Sequence, residues 1–110
     1  MAAVVRITSR FTSTAPVGRG EMVSLARLRG FDVDERMVRE AVEAARNFGQ
    51  LICSRSASNG GYYMARDSDE YQEFRQREYM AKATTMLATV KAMDKGAQRE
   101  FGTVQQVELF

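Results

Sequence analysis

The apolar residues near the front of the chain recur at helical spacing and predict two helices joined by a short turn. The first helix begins at Glu21 and is stopped by Gly30, and the second is capped by Asp34 or Asp32 and ends at Gly49. The apolar side of the first helix consists of Met22, Leu25, Ala26 and Leu28, and that of the second of Met37, Val38, Ala41, Val42, Ala45 and Phe48. The two helices together predict a helix-turn-helix unit.

The pattern behind the second helix changes from helical to extended. Residues 50–54 form a short apolar strand, and residues 62–65 form a second strand that contains Tyr62 and Tyr63. Residues 55–61 between them are rich in Ser, Asn and Gly, which favour turns. We therefore predict a β-hairpin. Because neighbouring residues on a strand point to opposite faces, one tyrosine packs on the core and the other is exposed or covered by the next helix.

A long helix is predicted after the hairpin, from Asp67 or Ser68 to about Met93. If Asp67 is the cap, Glu70 supplies the acid of a capping box. The four predicted segments are an N-terminal segment with a short helix and a loop at 1–20, the helix-turn-helix and hairpin at 21–66, the long helix at 67–95, and a loosely ordered tail at 96–110. This order predicts a mainly α fold with a small β-hairpin wing, in the α+β class, followed by a long C-terminal helix.

The composition argues against an enzyme. The chain has no histidine and one cysteine, which removes histidine acid–base chemistry, Cys-His nucleophiles and Cys/His metal clusters. The acids at the start of the long helix are explained by the helix dipole, and Cys53 lies in an apolar strand as an inert thiol. We therefore expect no catalytic residue, no metal and no cofactor.

A lone cysteine closes no intramolecular disulfide, and no apolar run has the length of a secretory signal or a membrane span. The expected location is therefore the cytoplasm, with no membrane attachment.

Positive charge is unevenly distributed along a chain whose net charge is only +2. Residues 1–30 hold five arginines and one glutamate, and residues 49–66 hold two arginines and no acid. Residues 31–48, which contain the second helix, hold five acids and three arginines. This distribution predicts a local phosphate-facing patch on a nearly neutral body.

The order of these elements resembles that of small winged-helix proteins encoded by bacterial phages and prophages. The resemblance is carried by the helix at 34–42 (DERMVREAV), the strands at 52–54 (ICS) and 60–63 (GGYY), and the acidic start of the long helix from Asp69. It covers residues 21–93. It implies a regulatory or replication-accessory protein in a bacterial host cell that binds double-stranded DNA, with the second helix in the major groove and the wing against the backbone or minor groove.

The residues expected to face DNA are Arg19, Arg27, Arg29, Arg36, Arg39, Arg55, Ser56 and Asn59. Arg36 and Arg39 lie one turn apart, so one can reach a base edge and the other a phosphate. Arg55 in the wing is the strongest single candidate, with Ser54 and Ser58 as neutral donors beside it.

The acids of the second helix support a different interpretation. Glu35, Glu40 and Glu43 can form ordinary i, i+4 ion pairs with the two arginines on a solvated face, and they oppose phosphate binding. This departs from the usual basic recognition helix. The second hypothesis is therefore a protein-interaction module on the same scaffold, which binds and inhibits or recruits a host protein.

The long helix carries more apolar surface than one small core can cover. About 25 residues span about 37 Å at 1.5 Å per residue. The stripe expected to meet a partner helix consists of Met80, Ala83, Leu87 and Val90, and it predicts a homodimer. The methionines are expected to fill gaps in the core, among them Met22, Met37, Met80, Met86 and Met93.

Overall fold

The computed structural model describes residues 1–56, 58 and 60–102. Its helices are α1 (Ala2–Thr8), α2 (Arg19–Leu28), α3 (Glu35–Asn47), α4 (Ser68–Phe74), a π-helical segment (Arg75–Met80) and α5 (Ala81–Phe101), and its strands are β1 (Ile52–Arg55) and β2 (Gly61–Met64). The chain divides into two compact units, of which the first is Met1–Phe74 and the second begins at Arg75. The predicted fold class, mainly α with a small β-hairpin and a long helix toward the C-terminus, is confirmed.

Three of the four predicted ends of the helix-turn-helix helices are confirmed by their hydrogen bonds, whereas α2 begins at Arg19, two residues before the predicted Glu21. Asp34, rather than Asp32, caps α3, because its Oδ1 accepts the N–H of Met37 at 2.9 Å. Gly30 and Gly49 follow α2 and α3 with φ of 92° and 86°, the left-handed conformation that glycine adopts without strain. Each glycine N–H and the N–H that follows it bond to carbonyls of the last helical turn.

The first residues of the chain belong to the core. Val4, Ile7 and Thr8 of α1 are buried, and α1 packs against α2 and α3. The short helix predicted here is confirmed. Its burial depends on partners far along the chain, which the local pattern does not reveal.

A third extended residue joins the hairpin. β1 and β2 are antiparallel, with Ile52 opposite Met64 and Arg55 opposite Gly61. Val17 exchanges two hydrogen bonds of 2.8 Å with Tyr62, although the part of segment 1–20 that follows the short helix was predicted to be a loop. The approach is so close that a Cβ on Gly61 would clash with the Val17 carbonyl oxygen. A single bridged residue between Pro16 and Gly18 is too short to show a strand period.

The two tyrosines of β2 enter separate clusters. Tyr62 belongs to the main core between α1, α2, α3 and the hairpin. Tyr63 packs with Cys53 and with Phe74 of α4 in a smaller cluster. Of the two predicted alternatives for the second tyrosine, the structure shows that Tyr63 is covered by the next helix and is not exposed. It also shows that Cys53 is buried.

The start of α4 follows the capping-box prediction with one shift. Asp67 Oδ1 accepts the N–H of Glu70 at 2.9 Å, so Asp67 is the cap. Glu70 Oε1 accepts the N–H of Arg66, one residue earlier than an ideal box requires. Its other oxygen accepts a hydrogen bond from the Ser13 hydroxyl. The Ser13 hydrogen bond and then that of the Arg66 backbone N–H lower the pKa of Glu70 from its ordinary value of 4.5.

Several apolar residues expected in the core are exposed. The exposed fractions are 83% for Leu28, 46% for Met37 and 75% for Phe48. The buried side of α2 is instead Met22, Val23 and Ala26, and that of α3 is Val38, Val42 and Ala45. At 100° per residue, Met37 and Phe48 both fall on one edge of α3, outside the narrow stripe that meets the core.

The second unit corrects two further expectations. Helix α5 continues to Phe101, so residues 96–101 are not a loosely ordered tail, and residues 103–110 lie outside the described part. Helix α5 contains no buried residue. Of the five methionines expected to fill core gaps, Met22 is buried, whereas Met37, Met80, Met86 and Met93 are exposed.

None of the helices in the described part of the chain combines the length and the apolar content that a membrane crossing requires.

Candidate nucleic-acid interface

A basic pocket lies where the start of α2, one side of α3 and the end of the hairpin meet. Its volume is about 220 Å³. Its lining consists of Arg19, Arg39, Val42, Glu43, Arg46, Ser54, Arg55, Ser56, Gly61 and Tyr62. Four arginines therefore surround one glutamate. We call this site the basic pocket.

Backbone contacts between distant parts of the chain assemble the pocket. The Val17–Tyr62 bridge fixes the chain two residues before Arg19, the first residue of α2. The same bridge lies next to the last pair of the hairpin, where Arg55 stands opposite Gly61. The start of α2 and the outer end of β1 are thus held side by side. No side-chain hydrogen bond caps the first N–H groups of α2, because its N-cap is Gly18.

Arg46 is the structural member of the pocket. Its Nε donates to the Ile52 carbonyl at 2.7 Å, and its Nη2 donates to the Ser54 hydroxyl at 3.3 Å. Its guanidinium carbon lies 5.0 Å from the centroid of the Phe74 ring, within cation–π range. The side chain is only 18% exposed. Arg46 therefore joins α3 to β1 and α4.

The other three arginines of the pocket are exposed. Within the described part of the chain, Arg19, Arg39 and Arg55 form no ion pair with a carboxylate. The Arg55 guanidinium carbon lies 5.7 Å from the centroid of the Tyr63 ring. The single acid of the pocket, Glu43, is paired with Arg46 at 3.6 Å. The pocket consequently carries an excess of positive charge that is open to solvent.

The residues predicted to face DNA fall into three groups. Arg19, Arg39, Arg55 and Ser56 meet in the basic pocket. Arg27, Arg29 and Arg36 do not line it. Asn59 lies outside the described residues.

Contacts of their own hold two of the arginines outside the pocket. Arg27 donates from Nε to the Val33 carbonyl at 3.1 Å and braces the turn between α2 and α3. Arg29 follows α2, about 15 Å along the helix from Arg19 at 1.5 Å per residue. Arg36 pairs with Glu40 at 3.1 Å on the exposed side of α3. For Arg36, the structure therefore contains the i, i+4 ion pair that the sequence offered as the alternative to a DNA contact.

The chemistry of the pocket suits an oxyanion. Guanidinium groups bind phosphate oxygens in bidentate geometry, and serine hydroxyls donate single hydrogen bonds to them. A water molecule occupies about 30 Å³ in the liquid, so the pocket has room for a phosphate group and several waters. The sequence pointed to Arg55 and Ser56, but the contribution of Arg46 and of the Gly61 region depends on the packing of α3 against the hairpin. No protein-family model, curated protein or solved structure matches the chain.

Proposed function

We propose that this chain is a winged-helix DNA-binding protein of phage type, which acts as a regulator or a replication accessory in the cytoplasm of a bacterial host. The hairpin is the wing, α3 enters the major groove, and the basic pocket contacts backbone phosphates. One observation carries this proposal: arginines from α2, α3 and β1 converge on one pocket, and three of them have no carboxylate partner among the described residues.

Two of the three acids of α3 oppose phosphate binding less than unpaired acids would, because each of them forms an ion pair. Glu40 is paired with Arg36, and Glu43 is paired with Arg46. An acid in an ion pair repels a phosphate less than a free one does, because the opposite charge nearby cancels most of its field at a distance. Arg39 on the same helix faces the pocket without such a partner.

The test is fluorescence anisotropy of the full chain with labelled random and genomic duplexes at two salt concentrations. Binding should weaken as salt rises, because each phosphate contact releases counterions. Arg55→Gln should lower affinity for all duplexes about tenfold and should reduce the slope of log affinity against log salt by about 0.9. Arg39→Gln should lower affinity by a similar factor.

Arg10→Gln is the matched control, since it removes the same charge from an exposed residue. Arg10 does not line the basic pocket. The carbonyl of its neighbour Phe11 accepts a hydrogen bond from the N–H of Met64, which is at the opposite end of β2 from the pocket residue Gly61. This change should leave affinity within about twofold of the wild type. Absence of duplex binding at the lower salt, or equal losses in all three variants, would remove the proposal.

The second candidate is a protein-docking module that binds a host protein. It is favoured by four large apolar side chains exposed around the turn between α2 and α3 and at the end of α3: Leu28, Phe31, Met37 and Phe48. This candidate predicts no duplex binding at low salt. It also predicts that the tagged chain retains a stoichiometric protein from bacterial lysate, and that Leu28→Ser with Phe31→Ser abolishes the retention.

A further inference from the structure

Helix α5 presents a continuous apolar seam to solvent. Ala83, Met86, Val90, Met93 and Ala97 follow one another at alternating steps of three and four residues, the spacing of a and d positions in a coiled coil. Met86 and Met93 are 68% and 69% exposed. We call these five residues the α5 seam. Of the stripe predicted from sequence, Ala83 and Val90 belong to this seam. Leu87 lies at its edge, beside Met86 and Val90.

The seam alternates small and large side chains. Ala83, Val90 and Ala97 occupy one set of positions, and the longer Met86 and Met93 occupy the other. In a parallel pair of identical helices each residue faces its own copy, so layers of two alanines or two valines would alternate with layers of two methionines. The layers of small residues would leave cavities and the layers of two methionines would be overpacked, and both defects destabilise a core.

An antiparallel pair centred on Ala88 removes this mismatch. Met93 then faces Ala83 of the other copy, and Met86 faces Val90, so a long side chain meets a shorter one in the four layers that these residues form, while Ala97 lies beyond them. The two Leu87 side chains meet across the twofold axis. A shift by one heptad would instead bring Glu100 against Ala83 and Asp94 against Leu87, which places charges on apolar partners.

We infer that a second copy of this chain covers the α5 seam, in an antiparallel two-helix coiled coil. Most of the stability of a helix in a protein comes from packing of its apolar face, and no residue of the 21-residue α5 is buried, so a second copy supplies the missing apolar contact. The self-complementary order of sizes fits an isologous twofold interface, in which the same patch serves both subunits. The inference uses residues of α5 alone and is independent of the proposed DNA binding.

The first test is the mass of the full chain by sedimentation equilibrium at tens of micromolar. The expected mass is twice the 12.4 kDa of one chain. Val90→Glu should raise the dimer dissociation constant at least about tenfold, because it places an unpaired charge in the seam. Ala92→Glu adds the same charge on the other side of α5, where Ala92 is exposed, and should leave the dimer intact. A monomeric wild-type mass, or equal effects of the two changes, would overturn the inference.

Disulfide trapping tests the orientation. Leu87→Cys should crosslink to its own copy near the axis, and the double variant Ala83→Cys with Met93→Cys should also crosslink between copies. Ala83→Cys alone should not, since its partner residue is Met93 of the other copy. The wild type is the background control, because Cys53 is buried. Efficient trapping of Ala83→Cys alone would show a parallel pair and overturn the antiparallel arrangement.

Discussion

Two arginines of α3 have different roles in this protein, and the contacts around each side chain determine its role. Arg46 donates to a backbone carbonyl and a hydroxyl and lies against an aromatic ring. Arg39, seven residues earlier on α3, is exposed and lines the pocket without an ion-pair partner in the described residues. The same residue type therefore acts as an internal brace at one position and as an available cation at the other.

This difference predicts that the same substitution lowers stability at one position and duplex binding at the other. Arg46→Gln should lower the free energy of unfolding by about 2 kcal/mol, because it leaves the Ile52 carbonyl without its donor and removes the contact with Phe74. Arg39→Gln should change that free energy by less than about 0.5 kcal/mol while it weakens duplex binding. Urea unfolding followed by circular dichroism measures both. Equal stabilities of the two variants would contradict the structural role of Arg46.

At the scale of single elements, local chemistry sets where helices begin and end, and longer-range contacts reinforce it. The cap of α4 is an example. Asp67 satisfies an N–H of the first turn, while Glu70 bonds to Arg66 and to Ser13, which lies 57 residues earlier. One carboxylate thus ties the start of α4 to the segment that follows α1.

This cap predicts a pH-dependent contribution to stability. Because folding lowers the pKa of Glu70 below 4.5, the ionised carboxylate stabilises the folded state at pH values above 4.5. The contribution is lost as the pH falls through the folded pKa. The stability difference between the wild type and Glu70→Gln should therefore be positive at pH 7 and shrink toward zero in acid.

Thermal unfolding from pH 7 to pH 3 measures this difference. Ser13→Ala is the companion variant, since the Ser13 hydroxyl is the main cause of the lowered pKa of Glu70. It should reduce the pH-dependent part without abolishing it, because the hydrogen bond from Arg66 remains. If the stability difference between the wild type and Glu70→Gln stayed constant from pH 7 to pH 3, the stabilising role of the ionised Glu70 carboxylate would be contradicted.

At the scale of the whole molecule, the hydrophobic core is confined to one unit. Within residues 1–56, 58 and 60–102, every buried apolar side chain lies at or before Phe74. The first unit has a main core, a smaller cluster under α4 and the complete basic pocket. It therefore contains the contacts that a small domain needs to fold.

The fragment 1–80, which ends with the π-helical segment, should accordingly fold without α5. We expect cooperative thermal unfolding with a midpoint within about 5 °C of that of the full chain, since the fragment loses no buried apolar contact. Circular dichroism and amide hydrogen exchange measure it. A fragment that unfolds without a cooperative transition would show that the second unit is required for the first to fold.

Much of the fold follows from patterns within a few residues of sequence. The stops at Gly30 and Gly49 and the hairpin were predicted, and Asp34 and Asp67 were each one of two predicted cap candidates, because each of these features depends on groups close together in the chain. The candidate site was predicted in part. Arg19, Arg39, Arg55 and Ser56 meet in one pocket, while Arg27, Arg29 and Arg36 lie elsewhere.

The sequence by itself determined the order of the two helices, the hairpin and the helical region that follows, since helix caps, glycine stops and strand patterns act locally. It predicted one continuous helix after the hairpin, where the structure has α4, a π-helical segment and α5. Only the tertiary structure decided that Val17 pairs with Tyr62, that Arg46 is enclosed, and that Met37 and Phe48 are exposed. These outcomes depend on which narrow stripe of each helix meets its neighbours and on contacts between residues far apart in the chain. Periodicity identifies an apolar side, but packing selects the part of that side that is buried.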